Sequence, residues 1–204
     1  MKKKTIALVL ACILCVGIGI GGTLAWLTDT TDAVTNTFTT SDINITLTES
    51  ASALDDGDND TKTNSYQMVP GYTITKDPKV TVTAGSEDCW LFVKLEKSAN
   101  FDTYMEFTVD SGWTPGTGNG GNGNGVPVGV YFRKIIGATG KDTPLSILTN
   151  NQVTVKGTVT KALMKDAETN QPTLKVTAYA SQLYQSADVE FPVATAWTNA
   201  QSTT

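Results

Sequence analysis

The sequence predicts an all-β protein: an antiparallel β-sandwich or jelly roll behind an extended N-terminal arm. Three observations carry this expectation. Short alternating apolar and polar runs recur from Ile43 onward, separated by Gly, Pro, Asn and Asp turns. Thr and Val are frequent in these runs, as a pleated, half-buried surface favours. Apolar residues at helical spacing are scarce.

Before the first such run lies a leader. Lys2, Lys3 and Lys4 precede an apolar stretch, Ile6–Ile20, of about 15 residues, followed by Gly21-Gly22-Thr23-Leu24-Ala25. A basic start, an apolar middle and a small-residue end form a secretory signal peptide over residues 1–25. The stretch is shorter than the ~20 residues that span a bilayer. Thr23 and Ala25 are the small side chains a signal peptidase needs, which makes Trp26 the first residue of the mature chain. An uncleaved anchor running to Leu27 fits less well, because nothing after Leu24 resembles a stop-transfer segment. A lipoprotein acylated at Cys12 would be cut inside the apolar run.

Loss of the leader takes the formal charge of the 204-residue chain from −5 to −8 and leaves about 179 residues, enough for one domain with a real core. This acidity disfavours nucleic acid and anionic membrane surfaces as partners, so the membrane matters only during export. Cys12 and Cys15 leave with the leader. The remaining Cys89, inside Cys89–Val93, cannot form an internal disulfide and reads as a buried thiol. There is no histidine, which removes the commonest zinc ligand and general base. No cofactor, metal or catalytic residue is expected.

Residues 26–40 form a Thr-rich arm that can extend as a strand but is poor in large apolar side chains, and residues 41–204 form the β-domain. Ile43, Ile45 and Leu47 alternate with polar neighbours as a strand with one wet face. Asp55–Asp60 is an acidic loop whose register does not fit an EF-hand, although its carboxylates are of the type that hold calcium. Met68–Tyr72 places a turn at Pro70-Gly71. Ile74, then Val80 and Val82 after Pro78, continue the alternation, and Trp90–Leu95 reads as a central strand apolar on both faces.

Phe101–Val109 has a mixed period. Asp110-Ser111-Gly112 matches the aspartic-protease tripeptide but occurs once, whereas that chemistry needs two carboxylates; it reads as a turn. Residues 114–127 are a flexible Gly/Asn loop without the Lys of a phosphate-binding loop. Val128–Ile136, Leu145–Leu148, Val153–Val159 and Leu174–Ala180 are further strands. Pro192 confines any C-terminal helix to the residues after it.

The Gly21–Ala25 cut site, Thr37-Phe38-Thr39, the Ile43–Leu47 alternation, Val69-Pro70-Gly71, Thr75–Pro78 and the Leu174–Gln182 strand together resemble the TasA/camelysin family of Gram-positive bacteria. Ser41-Asp42 stands where that family often has a glycine. The resemblance implies a jelly-roll domain, maturation by a SipW-type signal peptidase, and export to the extracellular matrix or cell surface. It further implies a biofilm-type fibre in which each arm adds as a strand to the next copy, with or without an accessory assembly protein. Trp26, Leu27, Val34 and Phe38 are then the contact residues, and Trp26–Phe38 reaches roughly 43 Å at ~3.3 Å per residue. A monomeric secreted or wall-associated adhesin is the alternative. The camelysin side implies a metalloprotease, which the lack of histidine disfavours.

Overall fold

A computed structural model describes residues 42–50, 64–119 and 123–202. The leader, the arm, Asp55–Asp60 and the tip of the Gly/Asn loop lie outside them. Among the described residues, twelve strands pair antiparallel throughout. They are β1 (Ile45–Thr48), β2 (Thr73–Thr75), β3 (Lys79–Val82), β4 (Cys89–Lys97), β5 (Met105–Glu106), β6 (Thr114–Pro115), β7 (Val130–Ile135), β8 (Leu145–Ser146), β9 (Gln152–Val155), β10 (Leu174–Gln182), β11 (Tyr184–Ser186) and β12 (Val189–Glu190). The α-helices among the described residues are α1 (Phe101–Tyr104), α2 (Lys161–Ala167) and α3 (Val193–Gln201).

The largest sheet has the order β10-β4-β7-β6. Two three-stranded sheets, β1-β3-β8 and β2-β9-β5, and the ribbon β11-β12 complete the set. The all-β class is as expected; these pairings do not by themselves amount to jelly-roll connectivity.

The centre of the fold is β4, buried over most of its nine residues. Its period of two sends Cys89, Leu91, Val93 and Leu95 into one core and Trp90 and Phe92 into another. The first core lies between the four-stranded sheet and the two three-stranded sheets, where Val80, Val82, Val153 and Val155 meet the β4 side chains. The second lies under α3, whose Ala196, Trp197 and Ala200 cover Phe92, Phe132 and Leu183. α3 begins directly after Pro192, which has no N–H to donate and a φ of −53°. A two-faced apolar run such as Trp90–Leu95 therefore marks a strand with cores on both sides.

Two other expectations resolve in physical terms. The mixed period over Phe101–Val109 is one turn of helix that switches at Tyr104 into β5. α2 is not foreseen by the sequence reading; Thr160 caps it, its side chain accepting a hydrogen bond from Leu163 N. The turn at Val69–Tyr72 closes with Tyr72 N donating to Val69 O over 2.9 Å. Gly71 takes a φ of +79° at its third position, as a type II turn requires.

The Gly/Asn loop is more constrained at its base than an open flexible loop. Asn124 Oδ1 accepts from Thr117 N and Val126 N, and its Nδ2 donates to Pro115 O. A Cβ on Gly116 would lie 2.2 Å from Pro127 O, so the two sides of the loop approach too closely for any side chain there.

Candidate functional site: a seam between two sheet edges

A strand at the end of a sheet leaves one row of N–H and C=O groups unpaired. Most edge strands here are only two or three residues long, namely β2, β5, β6 and β8. Two are longer. Among the described residues, β10 runs nine residues and pairs with β4 alone, and β1 runs four and pairs with β3 alone. β1 lies alongside β10, with Cα atoms within 8 Å, yet no ladder joins them.

The seam is incompletely covered. On β10, Leu174, Val176, Ala178 and Ala180 point toward the first core but are only half-buried, although their partners Val93 and Leu91 on β4 are fully buried. On β1, Ile45 is half-buried and Leu47, two residues on, is 40% exposed. Apolar side chains facing a core yet open to water along two unpaired edges are the incomplete surface that an added strand would complete.

β1 is paired with β3 along all four residues and is held further at its two ends. At its start, Asn44 N donates to Ser86 Oγ and Thr83 N donates to Asn44 O. Past its end, Glu49 receives Lys76 Nζ at 2.9 Å and Tyr66 Oη at 2.7 Å. Burial, and then the Glu49 carboxylate, raise the Tyr66 phenol far above its ordinary range. Asp77 receives Ser50 N, Ser50 Oγ and Lys79 Nζ. Burial opposes ionisation of Asp77, but those hydrogen bonds outweigh it and hold the carboxyl below its usual range.

The other residues singled out in the sequence fall elsewhere. Thr23, Ala25, Trp26, Leu27, Val34 and Phe38 lie outside the described residues. Asp110 forms a turn, its Oδ1 accepting from Gly112 N at 2.9 Å and its carbonyl from Trp113 N. Cys89 is fully buried, and burial pushes its thiol up to about 11. No group of three or more Cys, Asp or Glu among the described residues is placed to hold a metal ion. No described helix is long and apolar enough to cross a membrane.

The β10 edge itself is the feature that reading local motifs missed. Its sequence signal is the length of the alternating run and its ending in small residues, Ala178 and Ala180. No family model, curated protein or solved structure matches the chain.

Proposed function

We propose that the protein is an exported structural subunit of extracellular or cell-surface filaments, in which the arm at residues 26–40 of one copy adds as a strand to the β-domain of the next. The observation that carries this reading is the half-open seam: core-facing apolar side chains left partly wet beside unpaired strand edges. An extended segment satisfies both deficits at once, pairing the backbone and covering the side chains. The arm suits the task, being rich in β-branched residues and free of proline. A head-to-tail contact of this type does not close on itself, so it propagates as a filament. Removal of the leader by a SipW-type signal peptidase frees the arm and times assembly to export. The TasA/camelysin resemblance supports the same reading.

Electron microscopy of two purified forms tests it, one starting at Trp26 and one at Thr39, at equal concentration. The longer form is expected to give regular filaments and the shorter one folded monomers. Filaments from both would show that the arm is irrelevant, and monomers from both would favour the adhesin.

A further inference from the structure

We infer that the acceptor in this assembly is the outer edge of β10, and that its occupant is the arm of a second copy. The inference rests on the strand-donation reading and specifies its receiving surface.

Hydrogen-bond parity shows what the edge offers. Ser98 N donates to Thr173 O at one end of the β10–β4 ladder, and Leu183 N donates to Asp88 O at the other, with unbroken register between. In an antiparallel ladder bonded pairs alternate with non-bonded ones, so the odd residues from Thr173 to Leu183 bond to β4. The ladder from β4 to β7 agrees, since Leu95 N donates to Gly129 O and the odd residues of β4 face β7. The N–H and C=O groups of Leu174, Val176, Ala178 and Ala180 therefore point away from the sheet. These are the same four residues whose half-buried side chains face the first core. One set of positions supplies both the unpaired backbone and the uncovered apolar surface.

Length separates β10 from the other edges. Nine residues give a ladder of roughly 30 Å, which a thirteen-residue arm covers with chain to spare. Two- and three-residue edges give one or two hydrogen bonds. Ala178 and Ala180 are also the smallest side chains on the inner face, leaving room for a bulky donor residue beside them. Val34 and Phe38 have the same parity in the arm and reach one face of an extended strand together.

The arm of the same chain is a poorer fit. Folding back beside its own β1 needs a tight turn near Thr39–Asp42, and that stretch has no Gly or Asn for the positive φ that two-residue hairpins require.

A strand seated between β10 and β1 needs about 9.6 Å, twice the ~4.8 Å strand spacing. The two now approach within 8 Å, so β1 must yield. Of the two strands at the seam, β1 is the shorter and the more exposed, so it is the one that shifts, either with its partner β3 or by release of its four-residue ladder.

Proline substitutions of opposite parity, in the chain starting at Trp26, test the assignment. Ala178→Pro removes an outward N–H and leaves the β4 ladder whole, whereas Thr177→Pro removes a bonded one. The expected result is that A178P melts near the unsubstituted protein yet raises the concentration needed for filaments at least tenfold, while T177P melts lower. A180K, which puts a charge on the seam, serves as a second variant and is expected to block filaments likewise. If both A178P and A180K fold and polymerise normally while the form starting at Thr39 does not, the β10 assignment is overturned and strand donation stands. If the form starting at Thr39 also polymerises, strand donation itself fails. A monomeric Trp26 form with slowly exchanging amides at Val176, Ala178 and Ala180 would assign the edge to its own arm and overturn the second copy as occupant.

Discussion

Phe92 and Trp197 meet with ring centroids 5.3 Å apart and planes inclined at 56°. Tyr179 of β10 stands edge-on to the same indole at 5.2 Å. One helix residue thus fastens the outer faces of both β4 and β10, so the long edge is held on a backed sheet rather than on a free ribbon.

Trp197→Ala is expected to cost about 3–5 kcal/mol, since it empties a site against two aromatic rings and the fully buried Leu183. Urea denaturation followed by fluorescence or circular dichroism measures it. A loss below about 1 kcal/mol would mean that α3 does not hold the sheet.

The Glu49–Lys76 pair has side chains only 15% and 13% exposed and shares its carboxylate with Tyr66. Lys76→Met leaves that carboxylate without its cation in a mostly buried place. The expected cost is about 2 kcal/mol, between the values for surface and fully buried pairs. A double-mutant cycle with Glu49→Gln should return a coupling well above zero.

Acid should loosen the fold at two defined places. Ser50 and Lys79 hold the Asp77 carboxyl below its ordinary range against the opposing effect of burial. The Gly137 N–H holds Asp88 low, with burial opposing and Lys141 assisting. A depressed carboxylate pKa stabilises the folded state fully above the unfolded value of ~3.9, and that contribution disappears as pH falls through the folded value. Stability should therefore be level in these contributions from pH 7 to 5 and decline below about pH 4. Asp77→Asn combined with Asp88→Asn should flatten the decline, as urea midpoints at pH 7, 4 and 3 would reveal.

Cys89 should resist modification. With its side chain fully buried and its thiol pushed up to about 11 by burial, it has little thiolate at pH 8 and no route to a reagent. Iodoacetamide labelling is expected to be at least a hundredfold slower in the native protein than in urea. Equal rates would contradict the two-sided burial of β4.

These features differ in how visibly the sequence carried them. Cys89–Val93 and Leu174–Ala180 declare themselves because burial on two faces or one leaves a continuous or alternating apolar record. α2 escaped because seven residues hold barely two turns, and Leu163, Met164 and Ala167 leave too short a helical pattern beside Thr160. Asn124 gave no local sign of its role, since its partners Thr117 and Pro115 lie across the loop. The seam was hidden for a deeper reason. Whether Ala178 ends a sheet depends on which strand lies beyond it, and that is settled by chain order across the whole domain rather than by its neighbours.

Amide hydrogen exchange on filaments and on dispersed monomers of the chain starting at Trp26 shows whether the outer edge of β10 receives a strand. Exchange is expected to follow parity along β10: Val176, Ala178 and Ala180 exchange freely in the monomer and become protected in the filament, while Thr177 and Tyr179 are protected in both. Filaments in which Val176, Ala178 and Ala180 still exchange as in the monomer would contradict it.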